Sequence, residues 1–345
     1  MMAERLPKPV SAALLLAAAA VAGLWLWVPR EDGRRDADSK LGVIAHSGDA
    51  LVPLPQVPRL PADKVALGKA LFQDVRLSRD NTISCAGCHD LSSFGHDGRR
   101  GSVGVGGAEG SVNAPTVFNA SLNFAQFWDG RAASLEDQAA GPVHNPLEMA
   151  TDWAAVIGKL QADDAFRRDF LSAYPDGITA ANLADAIATF ERTLLTENAP
   201  FDRYLRGDPQ AIDARAKLGY RRFRELGCVS CHQGVNIGGN MFQRFGVMAD
   251  FFGERAPQRP AVAADLGRFN VTGQEVDRHV FKVPGLRNVA ETAPYFHDGG
   301  VARLEDAVAI MGRYQLGREL SPDEIDSLVA FLKTLTGMPP ASLKR

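Results

Sequence analysis

The sequence predicts an all-α chain: two tandem, related helical domains behind an N-terminal apolar helix. Three observations carry this. Apolar residues recur at helical spacing over residues 63–72, 151–160, 180–196, 211–226, 304–311 and 321–335, and no useful alternating strand pattern interrupts them. The motif C-x-x-C-H occurs twice. Around those motifs the chain repeats itself.

Taken in order, residues 1–30 hold a charge-free apolar run, 10–28, preceded by Arg5 and Lys8. The run is long enough to cross a bilayer as a helix, and the basic residues before it favour a cytoplasmic N-terminus. A cleaved signal peptide is the alternative, but the run ends in bulky Leu24-Trp25-Leu26-Trp27-Val28-Pro29 rather than small residues. An uncleaved anchor is therefore expected, with the rest of the chain exported. The stretch 31–60 reads as a tether. Its last part, 53–61, carries four prolines and is expected to wrap over the first domain. Residues 61–203 and 204–345 follow as the two domains, with the boundary near 199–208, after the helix expected over 180–196. Ser321-Pro322-Asp323-Glu324 is a helix start with serine at the cap, proline in the first turn and glutamate closing the box. The net charge of −3 gives no basic footprint for nucleic acid.

Cys85-Ala86-Gly87-Cys88-His89 and Cys228-Val229-Ser230-Cys231-His232 use all four cysteines. C-x-x-C-H is the attachment signature of a c-type haem: two thiols reach the vinyl groups of one porphyrin, and the histidine becomes the proximal iron ligand. Two disulfides would not need a histidine after each second cysteine. A zinc site would have to join pairs lying in different surroundings. The domains are thus two c-type cytochrome domains, each with a covalent haem. Export agrees, because such haems are installed outside the cytoplasmic membrane.

Leu67-Gly68 and Phe72 precede the first motif as Leu218-Gly219 and Phe223 precede the second. Beyond the motifs, Pro115 and Asn119 match Pro284 and Asn288, Phe127-Trp128-Asp129-Gly130 matches Phe296-His297-Asp298-Gly299, and Leu135-Glu136-Asp137 matches Leu304-Glu305-Asp306, all at one offset of 169 residues. Differences at matched positions point to function. Met311 stands opposite Pro142, His297 opposite Trp128, Ala307 opposite Gln138 and Gly317 opposite Glu148. A methionine thioether can ligate haem iron and raise its potential; a proline cannot. The second haem then has His232 and Met311. The first has His89 and an open face near Gln138 and Glu148, on neighbouring segments rather than one helix face.

Each residue also has a plainer reading. A methionine on a helix is more often packing, although Met241, Met248 and Met338 lack a repeat partner of this kind. A lone glutamate is usually solvated, and Trp128 alone would be core. His96 and His144 are free first-half histidines open to a role as sixth ligand. His46 reads as incidental, and His279 as a surface or hydrogen-bonded histidine.

With these residues in hand, the chain over 61–337 resembles the bacterial di-haem cytochrome c peroxidases. The resemblance rests on both haem motifs, Asn113-Ala114-Pro115-Thr116-Val117, Gln126-Phe127-Trp128-Asp129-Gly130-Arg131, Gly141-Pro142-Val143, Leu147-Glu148-Met149, Ala293 to Gly299 and Met311-Gly312-Arg313-Tyr314-Gln315. It implies a periplasmic enzyme that reduces hydrogen peroxide to water with electrons from a small cytochrome c or cupredoxin. The peroxidatic haem would lie in 61–203 and the electron-transfer haem in 204–345. The family's active-site glutamine and glutamate fall on Gln138 and Glu148, its inter-haem tryptophan on Trp128 and its methionine ligand on Met311. Its inter-domain calcium falls on Asn113 and the carbonyls of Thr292 and Pro294, a hard-oxygen set suited to that ion. The resemblance also allows a homodimer. One departure matters: many members close the resting peroxidatic haem with a loop histidine, where this chain has Val105, and His96 is a poor positional match. The first iron is therefore expected to be open at rest.

The competing readings are a di-haem electron carrier, a protein-oxidising di-haem enzyme and a membrane-tethered sensor. A carrier is disfavoured by Glu148 and the Pro142/Met311 asymmetry. The protein-oxidising relatives place a tyrosine at the Met311 position. For a sensor, the short segment 1–9 leaves no room for an output domain.

Overall fold

The computed structural model describes residues 50–344. In the first half, α1 (Ala62–Phe72) is followed by one helical turn at Cys85–Cys88, then α2 (Leu135–His144), α3 (Trp153–Gln161), α4 (Asp164–Ala173) and α5 (Ala180–Glu191). In the second half come α6 (Pro200–Leu205), α7 (Ala214–Glu225), a tight turn at Cys228–Ser230, strand β1 (Phe242–Arg244), α8 (Phe251–Arg255), strand β2 (Val280–Lys282), α9 (Leu304–Leu316) and α10 (Pro322–Lys333). Side-chain caps fix most starts: Ser134, Asp152, Asp163, Thr179 and Asp213 each accept from a first-turn N–H, and Ser321 with Glu324 forms the expected capping box.

The two halves are built on the same crossing. α1 meets α5 at Gly68, where a Cβ would lie 1.9 Å from the Ala186 carbonyl oxygen, and α7 meets α10 at Gly219, where it would lie 1.8 Å from that of Ser327. No other residue fits so close a backbone approach. Phe72 and Phe190 close the first crossing edge to face at 5.4 Å, and Phe223 and Phe331 the second at 5.1 Å. Each crossing anchors its own core, one around Leu71, Leu160, Phe170 and Leu183, the other around Phe201, Ile237, Phe331 and Leu335.

The halves meet at Thr196. Asn119 and Asn288, both at φ +61°, donate their amides to its hydroxyl at 2.9 and 3.1 Å. Asn119 Oδ1 accepts from Thr196 N at 3.0 Å, and Asn288 Oδ1 from Gly337 N at 3.1 Å. This explains why the helix expected over 180–196 stops at Glu191: the following residues turn inward so that Thr196 can reach both asparagines.

Three expectations need correction. The chain is helix-rich but not wholly α, because β1 and β2 pair antiparallel with Phe242 opposite Lys282; strands of three residues are too short to show alternation. The helix expected to end at Met311 continues to Leu316. The proline-rich stretch lies at the junction of the halves rather than over the first alone: Leu54 meets Asp202 and Arg206, and Val57 N donates to Glu197. Val52 N donates to Gly234 O, Leu54 N reaches Asp202, and the carbonyls of Val52 and Leu54 accept from Arg287 and Arg206. The attraction is the buried Arg287–Asp202 pair at 2.9 Å, whose spare hydrogen-bonding sites this backbone satisfies. The end of the stretch read as a tether is therefore packed. Among the described residues no helix is long and apolar enough to cross a membrane; the run 10–28 and His46 lie outside them.

Candidate active site

A cleft opens in the first half, lined by Cys85, Cys88, His89, Gln138, Pro142, Glu148 and Glu191 among others. The turn Cys85–Cys88 presents both thiols, and His89 N bonds back to Cys85 O at 2.9 Å. His89 Nδ1 meets the Gly95 carbonyl at 3.2 Å, which leaves Nε2 as the lone-pair nitrogen. Burial holds this imidazole below its usual range and raises both thiols. A neutral, oriented imidazole beside two unpaired thiols in an enclosed cleft fits a covalently attached haem.

The second motif offers the same donors. Burial pushes His232 down to about 4 and Cys228 up to about 11. His232 Nδ1 is buried without a hydrogen bond, and Gln243 Nε2 lies 4.0 Å from Cys231 Sγ. A buried, neutral imidazole next to two free thiols is again the donor set that a covalently attached haem takes.

Gln138 and Pro142 sit one turn apart on α2 and face the cleft together. Glu148 comes from the loop that follows. Asn145, which ends α2, sets that loop: its Oδ1 accepts from Leu147 N at 3.0 Å, its Nδ2 donates to Glu148 Oε1 at 2.6 Å, and its carbonyl accepts from Glu148 N. Burial raises the Glu148 carboxyl above its ordinary value, against the opposing pull of the Asn145 amide and the Arg131 charge. The carboxyl can thus hold and release a proton nearer neutrality than a solvated glutamate. Val105 is 4% exposed, and its N–H bonds the Glu148 carbonyl at 2.8 Å. Its loop thus packs on the backbone of the catalytic candidate and carries no ligand atom there.

His96 is held elsewhere. Its Nδ1 accepts from Gly98 N at 3.0 Å, and its Nε2 donates to Glu291 O at 2.9 Å. His144 packs against Trp153 at 6.2 Å and does not line the cleft. His279 stacks on Phe252 at 4.0 Å and bonds the Asp265 carbonyl, a hydrogen-bonded histidine as expected.

Trp128 and Met311 pack on one aromatic cluster built from Phe245, Phe251, Phe252 and Phe281. Trp128 Nε1 donates to Asn113 O at 2.9 Å. Asn113 is buried, its Nδ2 donates to Arg99 O, and its N–H bonds His297 O at 2.8 Å, close in sequence to Thr292 and Pro294. His297, opposite Trp128 in the repeat, bonds Asp265 Oδ1 at 2.8 Å, and Arg255 holds Asp265 and Asp298 together. That acid cluster is neutralised by its own arginines.

Sequence reasoning missed Asn145 and Glu191. Glu191 is 5% exposed on α5, follows Phe190, and burial pushes its carboxyl up to about 8. The signal was an acid in an apolar stripe where the second half has Leu332.

A family model described as di-haem cytochrome c peroxidase matches residues 62–210. The chain is 52% identical over 295 residues to cytochrome c peroxidase Ccp of Escherichia coli, covering 85% of this chain and 62% of that protein, so it spans less than two thirds of that relative's length. It is 46% identical over 300 residues to cytochrome c551 peroxidase of Nitrosomonas europaea, covering 87% of each. Among solved structures, a MauG-like protein associated with microbial copper homeostasis superposes with a TM-score of 0.72 at 30% identity, over 84% of this chain and 95% of that one.

Proposed function

The chain belongs to the di-haem cytochrome c peroxidase family, and on that premise we propose that it reduces hydrogen peroxide to water with electrons from a small redox protein. The observation that carries this reading is the single cleft in which haem-attachment thiols, a neutral His89, Gln138 and a carboxyl of raised affinity for protons, Glu148, converge.

Cys85, Cys88 and His89 would hold a haem, which would supply the peroxide-binding position and the redox equivalents. In its ionised form Glu148 accepts a proton from the near peroxide oxygen and returns it to the departing one, so that the far oxygen leaves as water. Asn145 keeps the carboxylate pointed at that position. Gln138 orients peroxide through its amide. Pro142 offers no donor atom and leaves the position free for substrate. Cys228, Cys231, His232 and Met311 would hold a second haem, which would supply the electron-accepting chemistry for a cytochrome c or cupredoxin donor, and Trp128 would serve as the relay between the halves.

The wider reading follows. Residues 61–203 form the peroxidatic cytochrome domain and 204–345 the electron-transfer domain, a duplication supported by the paired crossings at Gly68 and Gly219. Asn113 and the carbonyls of Thr292 and Pro294 would hold a calcium ion, as hard-oxygen donors. The enzyme works in the periplasm, tethered through residues 1–30, and pairs as a homodimer.

The test is to mix fully oxidised holoprotein with hydrogen peroxide in a stopped-flow spectrometer. A fast change in the haem spectrum without prior reduction is expected, because Val105 supplies no ligand and His96 is bonded elsewhere. Silence until one electron is added would overturn the open resting site. Silence in both states would leave an electron carrier as the function.

A further inference from the structure

Lys282 ends β2 and is 8% exposed, yet among the described residues no hydrogen bond or ion pair engages its ammonium. Burial alone acts on it and pushes it down to about 8. The acids around the ribbon are already claimed. Asp129 pairs with Arg131 at 2.9 Å, and Asp277 lies 4.0 Å from Arg268. Asp265 and Asp298 are taken by His297, Arg255 and Arg259. An unpaired ammonium on a largely buried side chain is costly, and such groups are retained where an opposite charge meets them.

The fold itself does not require a lysine here. The position opposite in the repeat is Asn113, and the two residues make the same backbone bond across the halves: Asn113 N to His297 O and Lys282 N to Trp128 O, both at 2.8 Å. An uncharged residue builds that junction equally well. The charge is therefore available for something the protein atoms do not supply, at a place one backbone hydrogen bond from Trp128.

We propose that the Lys282 ammonium binds a haem propionate beside Trp128 and, by neutralising that carboxylate, raises the reduction potential of the haem that carries it. This rests on the two-haem reading above. Each haem brings a pair of carboxylates into the protein, and an ionised propionate favours the oxidised iron. A lysine held against it removes that bias and adds a charge-assisted hydrogen bond. The potential of one haem then depends on a residue that need touch neither iron nor peroxide.

The test compares holoprotein carrying Lys282→Met and Lys282→Arg with the parent. Mass spectrometry counts attached haems, potentiometric titration follows each haem, and resonance Raman reads the propionate bending band. With both haems attached, K282M should lower one haem's reduction equilibrium about tenfold, or about 59 mV for one electron, and move its propionate band. K282R should keep both near the parent values. The haem that shifts identifies whose propionate is bound. If K282M does not yield holoprotein, Lys282→Gln carries the same comparison. Unchanged bands and potentials in a neutral variant with both haems attached would overturn the proposal while leaving the two-haem reading intact. A parent without two attached haems would overturn both.

Discussion

At the scale of single residues, Glu148 has the clearest consequence. Its carboxyl is raised mainly by burial, and Asn145 and Arg131 pull it back. Glu148→Gln should slow peroxide turnover by about 100-fold or more, the usual share of a positioned acid–base group, while mass spectrometry still finds both haems. The base form is needed, so the peroxide reaction should fail as pH drops through this raised value, above the ordinary glutamate value of about 4.3. Removing the Asn145 amide removes a bond that favours the charged form. Asn145→Ala should therefore move the acid limb to higher pH in a stopped-flow pH series. Met311 is the proposed ligand of the other haem. Met311→Ala should lower that haem's reduction equilibrium at least tenfold, about 59 mV by potentiometry, because the thioether favours the reduced iron. An unchanged potential would return Met311 to the packing role its place among Phe251 and Tyr314 also allows.

At the scale of elements, the two helix crossings decide whether either half can assemble. A methyl group at Gly219 would enter the Ser327 carbonyl, and one at Gly68 the Ala186 carbonyl. Either Gly→Ala change must push two helices apart and should cost about 1–3 kcal/mol or more, read by chemical denaturation of the holoprotein. Gly158 is the internal control. It lies within α3 with nothing within 4 Å of its would-be Cβ, so Gly158→Ala should stabilise by roughly 0.5–1 kcal/mol through backbone entropy and helix propensity. Equal effects at the three sites would mean that the crossings do not carry the load assigned to them.

At the scale of the whole molecule, one buried pair ties distant stretches together. Arg287 and Asp202 are 1% and 0% exposed, and they also hold the backbone at Val52, Leu54 and Val235. Asp202→Ala strands a buried guanidinium and should destabilise by about 3–5 kcal/mol. It should also free residues 50–57, detected as new protease cleavage there. Thermal unfolding at the parent temperature with no new cleavage would show that this stretch is held by its other contacts.

The family and the candidate site of this chain were legible from local pattern. Spacing within C-x-x-C-H is set by the reach of two thiols and a histidine over one porphyrin, so it survives in the sequence without any knowledge of the fold. The constant offset of the repeat then made Gln138, Glu148 and Met311 visible as departures from a template the chain itself carries. Helix starts were legible too, since a cap is a contact between near neighbours, as at Ser321 and Glu324. What tertiary structure alone decided depends on long-range satisfaction of buried polar groups. The proline-rich stretch lies at the junction of the halves because Asp202, Arg206 and Glu197 offer bonds there. The helix after Ala180 ends early because Thr196 must meet Asn119 and Asn288. His96 is withdrawn from the haem cleft by the carbonyl of Glu291, and Lys282 is singled out only once every nearby acid is seen to be taken. Such bonds join residues far apart in sequence, and no spacing rule records them.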